Sequence, residues 1–329
     1  MAAISAVVRE AAIAARAVDA ALTPQRSARS RAAAADLVIN LCALCRTPEA
    51  QMLFHLDRGV IVRCPKCDLV RDATRPSSPG TVYDQEYYAG DDPQGGYANY
   101  VLDADINKRT FRDRLRRIER RYGYGRYARL LDVGCALGDV VLEAQADGWD
   151  AEGVEISPAA AAEARRRGAR VHCGALQELA LPAQSYDAIT LYDVIEHLPD
   201  PVAALREIRR LLAPEGVLHI VTPNVGGLQA KVLGRYWYHY KPGEHLFYFS
   251  PKTLRATVQR ALLRWDGWST SASYVTLSYV LNRLRYYAPA IFGSLEQVGR
   301  TLGVGPFPFR LYVGEMEAWA AHGDLRRRS

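Results

Sequence analysis

Leu130-Leu131-Asp132-Val133-Gly134-Cys135-Ala136-Leu137-Gly138 is the stretch that decides the fold. A short apolar run leads through an aspartate into two glycines, and a helical pattern follows, so the segment reads as strand, tight turn and helix. Glycine lets the backbone turn sharply and approach a ligand closely. A dinucleotide-binding turn would carry G-x-G-x-x-G. Here the spacing is G-x-x-x-G, with Asp132 two residues before the first glycine. A pyrophosphate gains nothing from that carboxylate, whereas a cationic ligand does.

Outward from this turn the chain alternates apolar runs with helical patterns. Candidate strands are Leu130–Val133, Ala151–Glu155, Arg170–His172, Ala188–Tyr192 and Val217–Val221. Such alternation predicts a doubly wound, mostly parallel α/β sheet with helices on both faces. Ser157-Pro158, Asp200-Pro201 and Ser250-Pro251 each place a capping side chain before a proline at the first helical position. The cap satisfies free amides and proline has none to lose. Glu155 ends the second strand, twenty-three residues after Asp132. An acid there can accept hydrogen bonds from both hydroxyls of a ribose.

Taken in order, these features resemble the class I S-adenosylmethionine-dependent methyltransferases from about Leu130 to Val221. The similarity lies in Leu131-Asp132-Val133-Gly134-Cys135, in Gly153-Val154-Glu155-Ile156-Ser157, in Ser185-Tyr186-Asp187 leading to Asp193-Val194-Ile195-Glu196-His197-Leu198, and in Thr222-Pro223-Asn224. The resemblance implies a seven-stranded Rossmann-like sheet and S-adenosylmethionine as cofactor. In that frame Asp132 faces the cationic end, Gly134 and Gly138 make room for the methionine part, and Cys135 lies between them. Glu155 holds the ribose, Ile156, Ala175 and Leu176 flank the adenine, and Tyr192 and Asp193 line the sulfonium side. Ala136 stands where many members carry a third glycine.

Ahead of this domain, Cys42-Ala-Leu-Cys45 and Cys64-Pro-Lys-Cys67 are separated by eighteen residues. Two residues between thiolates let one tight turn offer both sulfurs to a tetrahedral ion, and four sulfurs close the shell. The pattern predicts a structural Zn²⁺ in a small module over residues 38–75, with a hairpin between Met52 and Arg63. Disulfides are the rival, and nothing in the sequence suggests secretion. A zinc ribbon followed by a Tyr-rich segment resembles sugar- and polysaccharide-pathway methyltransferases, which implies that Tyr97 and Tyr100 help close the cofactor site. Residues 1–37 read as a disordered or helical leader, 76–128 as a linking helical segment, and 129–329 as the methyltransferase domain, with a lid at 225–250 and a helical insertion at 270–304.

Two Glu-His pairs offer a base. Glu196-His197 follows the fourth strand, and Glu244-His245 lies in an aromatic stretch expected to be an exposed loop. The second pair resembles the Glu-His motif of sugar C-methyltransferases, which implies His245, beside Glu244, as base and His197 as the alternative; Pro242 stands where those enzymes carry a tyrosine. The acceptor implied is a small molecule or glycan, such as a sugar, nucleotide-sugar or polysaccharide-related compound, methylated at O or C. O-methylation of a quinone or aromatic natural product is the second reading. A third is a nucleic-acid-binding zinc ribbon with a degenerate methyltransferase fold.

Hydrophobic content of 49% and charged content of 24% are those of a globular protein able to bury a full core. No apolar run reaches the length of a membrane span, and a cytoplasmic location is expected. The net charge of +6 is concentrated between Lys108 and Arg129, where ten basic residues face only Asp113 and Glu119. With Phe111, Leu115, Ile118 and Tyr122 at helical spacing, this is an amphipathic helix whose basic face is expected to be solvated, attraction of an anionic substrate or nucleic acid being the disfavoured reading. The acceptor's identity and the oligomeric state are not written in the sequence.

Overall fold

Strand β4 (Arg129–Val133) shows how the sheet is wound. Leu130 packs into one core with Leu115, Val141 and Ala161, while Leu131 and Val133 enter another with Leu205, Ile208 and Leu254. Successive side chains of a strand point to opposite faces, so a run that is apolar throughout must be covered on both. The structure, a computed structural model, describes residues 41–74 and 104–322 apart from 286, 303 and 306. The leader and the Tyr97–Tyr100 call lie outside the described residues.

The central sheet has seven strands. Four more of them are β5 (Asp150–Glu155), β6 (Val171–Cys173), β7 (Tyr186–Tyr192) and β8 (Leu212–Pro223). The last two are β10 (Arg264–Thr276) and β11 (Pro308–Ala321), and the spatial order is β10-β11-β8-β7-β4-β5-β6. Strands β4 to β8 pair in parallel, and β11 is antiparallel to both β8 and β10. The fold is therefore a Rossmann-like, mostly parallel seven-stranded sheet. Helices α1 (Ala104–Tyr122), α2 (Asp139–Ala146) and α3 (Pro158–Arg166) cover one face. The other face carries α4 (Pro201–Leu211) and α6 (Pro251–Arg260), and the short α5 (Leu228–Leu233) precedes α6. The chain leaves β4 toward β5 on one side and returns to β7 on the other. This is the switch point outside which an open α/β sheet binds its ligand.

Local chemistry explains the helix starts. The side chains of Ser157, Asp200 and Ser250 each accept an amide three residues on, and Thr253 returns the bond in a full capping box at Ser250. The expected insertion at 270–304 begins later than predicted. Residues 264–276 form β10, which pairs antiparallel with β11, and the helices are α7 (Leu277–Leu284) and α8 (Pro289–Thr301).

The four cysteines flank the strands of a second, smaller sheet, two before its first strand and two between its second and third. Its order is β1 (Gln51–Leu56), β2 (Gly59–Arg63), β3 (Val70–Asp72) and β9 (Phe247–Tyr248), so its fourth strand comes from the stretch read as a lid. Val70 and Arg71 pair antiparallel with Tyr248 and Phe247. Cys42, Leu44, Cys64 and Leu69 lie in the same core as Leu131 and Phe249. The small sheet and the large one thus share an interior.

The solvated basic face expected on α1 is a correction. Arg114 is 4% exposed and donates to Glu315, Arg117 pairs with Glu317 and Asp113, Arg112 with Glu143, and Arg121 with Asp266. Much of the charge that looked like a docking surface latches the helix onto β10 and β11.

Candidate active site

Two cavities open at the carboxyl ends of β4 and β7. One, of about 430 Å³, is lined by Val133, Glu155, Ile156, Ala175, Leu176 and Leu198, among others. The second, of about 220 Å³, is lined among others by Asp132, Cys135, Tyr192, His245, Tyr238 and Glu315. Gly134, Ala136, Asp193 and His197 line both, so the two meet at the turns after β4 and β7.

The turn after β4 is built as its sequence demands. Gly134 has φ +74°, and a β-carbon there would sit 2.5 Å from Val194 Cγ2. Ala136 also lies in the left-handed region, at φ +46°, which is why a glycine suits this position. Gly138 lines neither cavity. Its φ is +80°, and an added β-carbon would meet Ala169 at 2.7 Å, so it serves close packing of α2 on α3 rather than room for a ligand.

Glu155 is 4% exposed and accepts from the Ala136 amide at 2.9 Å and the Ser157 amide at 2.8 Å, one on each oxygen. Each carboxylate oxygen has two lone pairs, so acceptor capacity remains beyond these amides for a ribose hydroxyl. Burial raises its pKa against those amide bonds. Asp132 accepts from the Thr190 hydroxyl at 2.6 Å, and burial pushes it up to about 7. A buried acid raised in this way gains from a cationic ligand that restores its charge.

The two candidate histidines come together, although they are far apart in sequence. Their rings sit edge to face at 4.7 Å between centroids. His197 shares its Nδ1 with the Glu244 carbonyl at 2.8 Å, which fixes Nδ1–H as donor and leaves Nε2 as the basic nitrogen. His245 is 6% exposed, a correction to the exposed loop expected, and its Nδ1 has no hydrogen-bond partner among the described residues. Burial, with His197 and Lys241 nearby, holds its pKa well below the ordinary 6.5, and burial holds His197 at about 4. Both are neutral at pH 7. Glu244 lies outside both cavity linings, and its carboxylate is 3.9 Å from Lys241.

Several lining residues carried no motif. Glu315 is buried and raised to about 8, chiefly by desolvation with Asp193 adding to it, and Arg114 opposes the shift from 3.2 Å. Lys241 and Arg283 both lie over the Tyr238 ring, at 5.1 and 4.9 Å from its centroid. Tyr192, expected at the sulfonium side, donates to or accepts from His219 Nδ1 at 2.9 Å. A signal for part of this was present. Glu315 and Glu317 alternate with apolar residues in the last strand, and charges inside an apolar strand require partners such as the arginines of α1.

The family described as "Methyltransferase domain" matches residues 100–264, half of the 329-residue chain. The chain belongs to the class I S-adenosylmethionine-dependent methyltransferase family. It is 31% identical over 158 residues to a ubiquinone biosynthesis O-methyltransferase of Xanthomonas oryzae pv. oryzae, covering 42% of this chain and 64% of that protein. It is 32% identical over 108 residues to a protein of the same name from Histophilus somni, covering 29% of this chain and 45% of the relative. The matches thus span less than two thirds of these relatives' lengths. Among solved structures, a complex between the Haloferax volcanii Trm112 methyltransferase activator and a methyltransferase shares the fold at TM-score 0.52 and 15% identity, over 76% of this chain and 99% of that one.

Proposed function

We propose that this methyltransferase transfers a methyl group from S-adenosylmethionine to a hydroxyl on the ring of a small-molecule acceptor, with His245 as the base. The meeting of the two cavities at Gly134, Ala136, Asp193 and His197 carries the reading. One cavity offers apolar walls and a buried ribose acceptor in Glu155, and the other offers a neutral imidazole beside a place for a second molecule. The cofactor supplies an electrophilic methyl on a sulfonium, and the acidic groups Asp132 and Asp193 complement that charge.

The chain's own part is to align the acceptor, exclude water and take a proton. Phe111, Tyr192, Tyr238, Tyr274 and Tyr279 give a ring acceptor faces to pack on. Nδ1 of His245 has no hydrogen-bond partner among the described residues, and it is the atom assigned to take the hydroxyl proton. The relatives named for ubiquinone biosynthesis support a phenolic acceptor over the sugar or glycan reading. Pro242 supports O- over C-methylation, because it packs against Gly59 and carries no phenol.

The four-cysteine module is read as a structural zinc site. Cys42 and Cys67 sulfurs lie 3.5 Å apart, Cys45 and Cys64 sulfurs 3.4 Å apart, and all four are free thiols within 4.8 Å of one another. Zinc–sulfur bonds of about 2.3 Å place sulfurs about 3.8 Å apart at tetrahedral corners, so the set fits the ion. The two knuckles share one geometry. Cys42 and Cys64 amides donate to carbonyls five residues on, and Arg46 and Asp68, each following its second cysteine, have φ +61° and +65°.

The test is calorimetric titration with S-adenosylhomocysteine, followed by a panel of phenols, catechols and nucleotide-sugars assayed for its formation. Saturable micromolar binding and turnover on a phenol are expected. A folded protein that binds none of it overturns the reading, and turnover confined to nucleotide-sugars overturns the acceptor class.

A further inference from the structure

The turn that carries His245 is held by a residue outside the methyltransferase sheet. Asp72 ends β3 of the four-cysteine module. Its Oδ2 accepts from the Gly243 amide at 2.8 Å, and its own amide donates to the Leu246 carbonyl at 3.0 Å. One residue thereby grips both ends of the four-residue span Gly243–Leu246. Its other oxygen, Oδ1, accepts from both the amide and the hydroxyl of Thr74, and the Thr74 hydroxyl in turn accepts from the Val60 amide at 3.1 Å. The clamp is thus anchored in the β1–β2 hairpin. That hairpin fits closely: a β-carbon on Gly59 would lie 2.6 Å from Pro242 and 2.3 Å from the Thr74 hydroxyl.

The opposite side of the turn is tied to the methyltransferase. The Leu246 amide donates to the Glu196 carbonyl at 2.8 Å, and His197 bonds the Glu244 carbonyl. His245 therefore sits between two supports, one from each sheet. Gly243, at φ +89°, makes the bend that brings its amide onto Asp72. An aspartate accepting backbone amides fixes a turn locally, and displacing a proton acceptor by about 1 Å costs on the order of a hundredfold in rate.

We infer that Asp72 is a positioning residue for methyl transfer: through its grip on Gly243 and Leu246 the four-cysteine module sets the placement of His245 in the acceptor cavity. The role given to His245 rests on the function proposed above, whereas the grip itself does not.

The experiment compares the full-length parent with Asp72→Ala and Asp72→Asn, the second keeping one acceptor oxygen. Four readouts are taken: amide hydrogen exchange over 243–246, the ring resonances of isotopically labelled histidine against pH, S-adenosylhomocysteine affinity, and turnover on the phenol that the panel above identifies. In Asp72→Ala, exchange over the turn is expected to quicken by about tenfold or more. The His245 ring, silent through pH 6.5 in the parent, becomes titratable there, and S-adenosylhomocysteine affinity stays within about twofold. Asp72→Asn falls between the two, and it decides alone if the alanine variant does not fold. Turn exchange and ring resonances unchanged from the parent in the folded variant overturn the inference. Changed exchange with turnover equal to the parent's keeps the grip but overturns His245 as the base, so the two failures are told apart.

Discussion

The cavity proposed for the cofactor and the one proposed for the acceptor share a floor yet are built in opposite ways. The first draws its whole lining from residues between Val133 and Ile208, one uninterrupted stretch of strands and turns. The second gathers residues from Ile106 to Glu315, from α1, both sides of the sheet and the segment before β9. The first is mostly apolar around a few carboxylates. The second concentrates titratable groups: Asp132, Glu196, Glu315, Arg114, Lys241, Arg283 and three histidines. A site that binds the same molecule throughout a family can be assembled from local turns. A site that binds a particular acceptor is assembled from whatever the chain folds over the top.

The sharpest way to break this contrast is His245→Ala. If proton transfer belongs to the acceptor side, turnover falls by about 10²–10⁴-fold while S-adenosylhomocysteine affinity holds. The pH profile adds a sign. His245 is held well below 6.5, so at saturating cofactor the parent's kcat does not fall as pH drops through 6.5; an inflection there would contradict the buried geometry. The same depression works against the fold. His197, His219 and His239 are each lowered to about 4, so below 6.5 the unfolded chain binds protons that the native state does not, and the histidines' contribution to stability declines from pH 6.5 toward 4. Urea midpoints across that range check it.

Glu155→Ala probes the other side. It deletes the proposed ribose acceptor and the anchor for the Ala136 and Ser157 amides. A charged acceptor lost from a buried site costs roughly 2–3 kcal/mol, so affinity for S-adenosylhomocysteine is expected to fall by about a hundredfold in calorimetry. Unchanged affinity would move the ribose elsewhere in the cavity.

The contrast also explains what could be read from the sequence. The β4 turn, Glu155, the proline-capped helices and the cysteine knuckles each follow from residues within a few positions of one another, and all stand in the fold where their spacing puts them. The meeting of His197 with His245, the pairing of Arg114 with Glu315 and the joining of β9 to β3 depend on contacts across long stretches of chain. Nothing local encodes them. The arginines of α1 misled for the same reason: a charged stripe looks solvated until the strand carrying its counter-ions is placed beneath it.

A smaller effect is expected where the module meets the large sheet. Chelation, or Cys64→Ser, is expected to release the metal, one zinc per chain by elemental analysis, and to loosen β3 from β9. Because the module shares its core with Leu131 and Phe249, melting is expected to shift down by about 5 °C, with the turn at 243–246 losing exchange protection before β4 or β5 does. A metal-free preparation with the parent's melting curve would refute the zinc site.

The smallest change tests the floor that both cavities share. Ala136 has φ +46°, a conformation that costs an L-residue about 1 kcal/mol and glycine almost nothing. Glycine also has more freedom to lose on folding, which offsets part of the gain. Ala136→Gly is therefore expected to alter stability by no more than about 0.5–1 kcal/mol in urea denaturation, in the stabilising direction. Its methyl borders both cavities, so its removal widens the passage between them and is expected to shift S-adenosylhomocysteine affinity by only a few-fold. A loss of affinity as large as that from Glu155→Ala would mean that the alanine methyl is itself a wall the ligand packs on, and that the shared floor belongs to the cofactor alone.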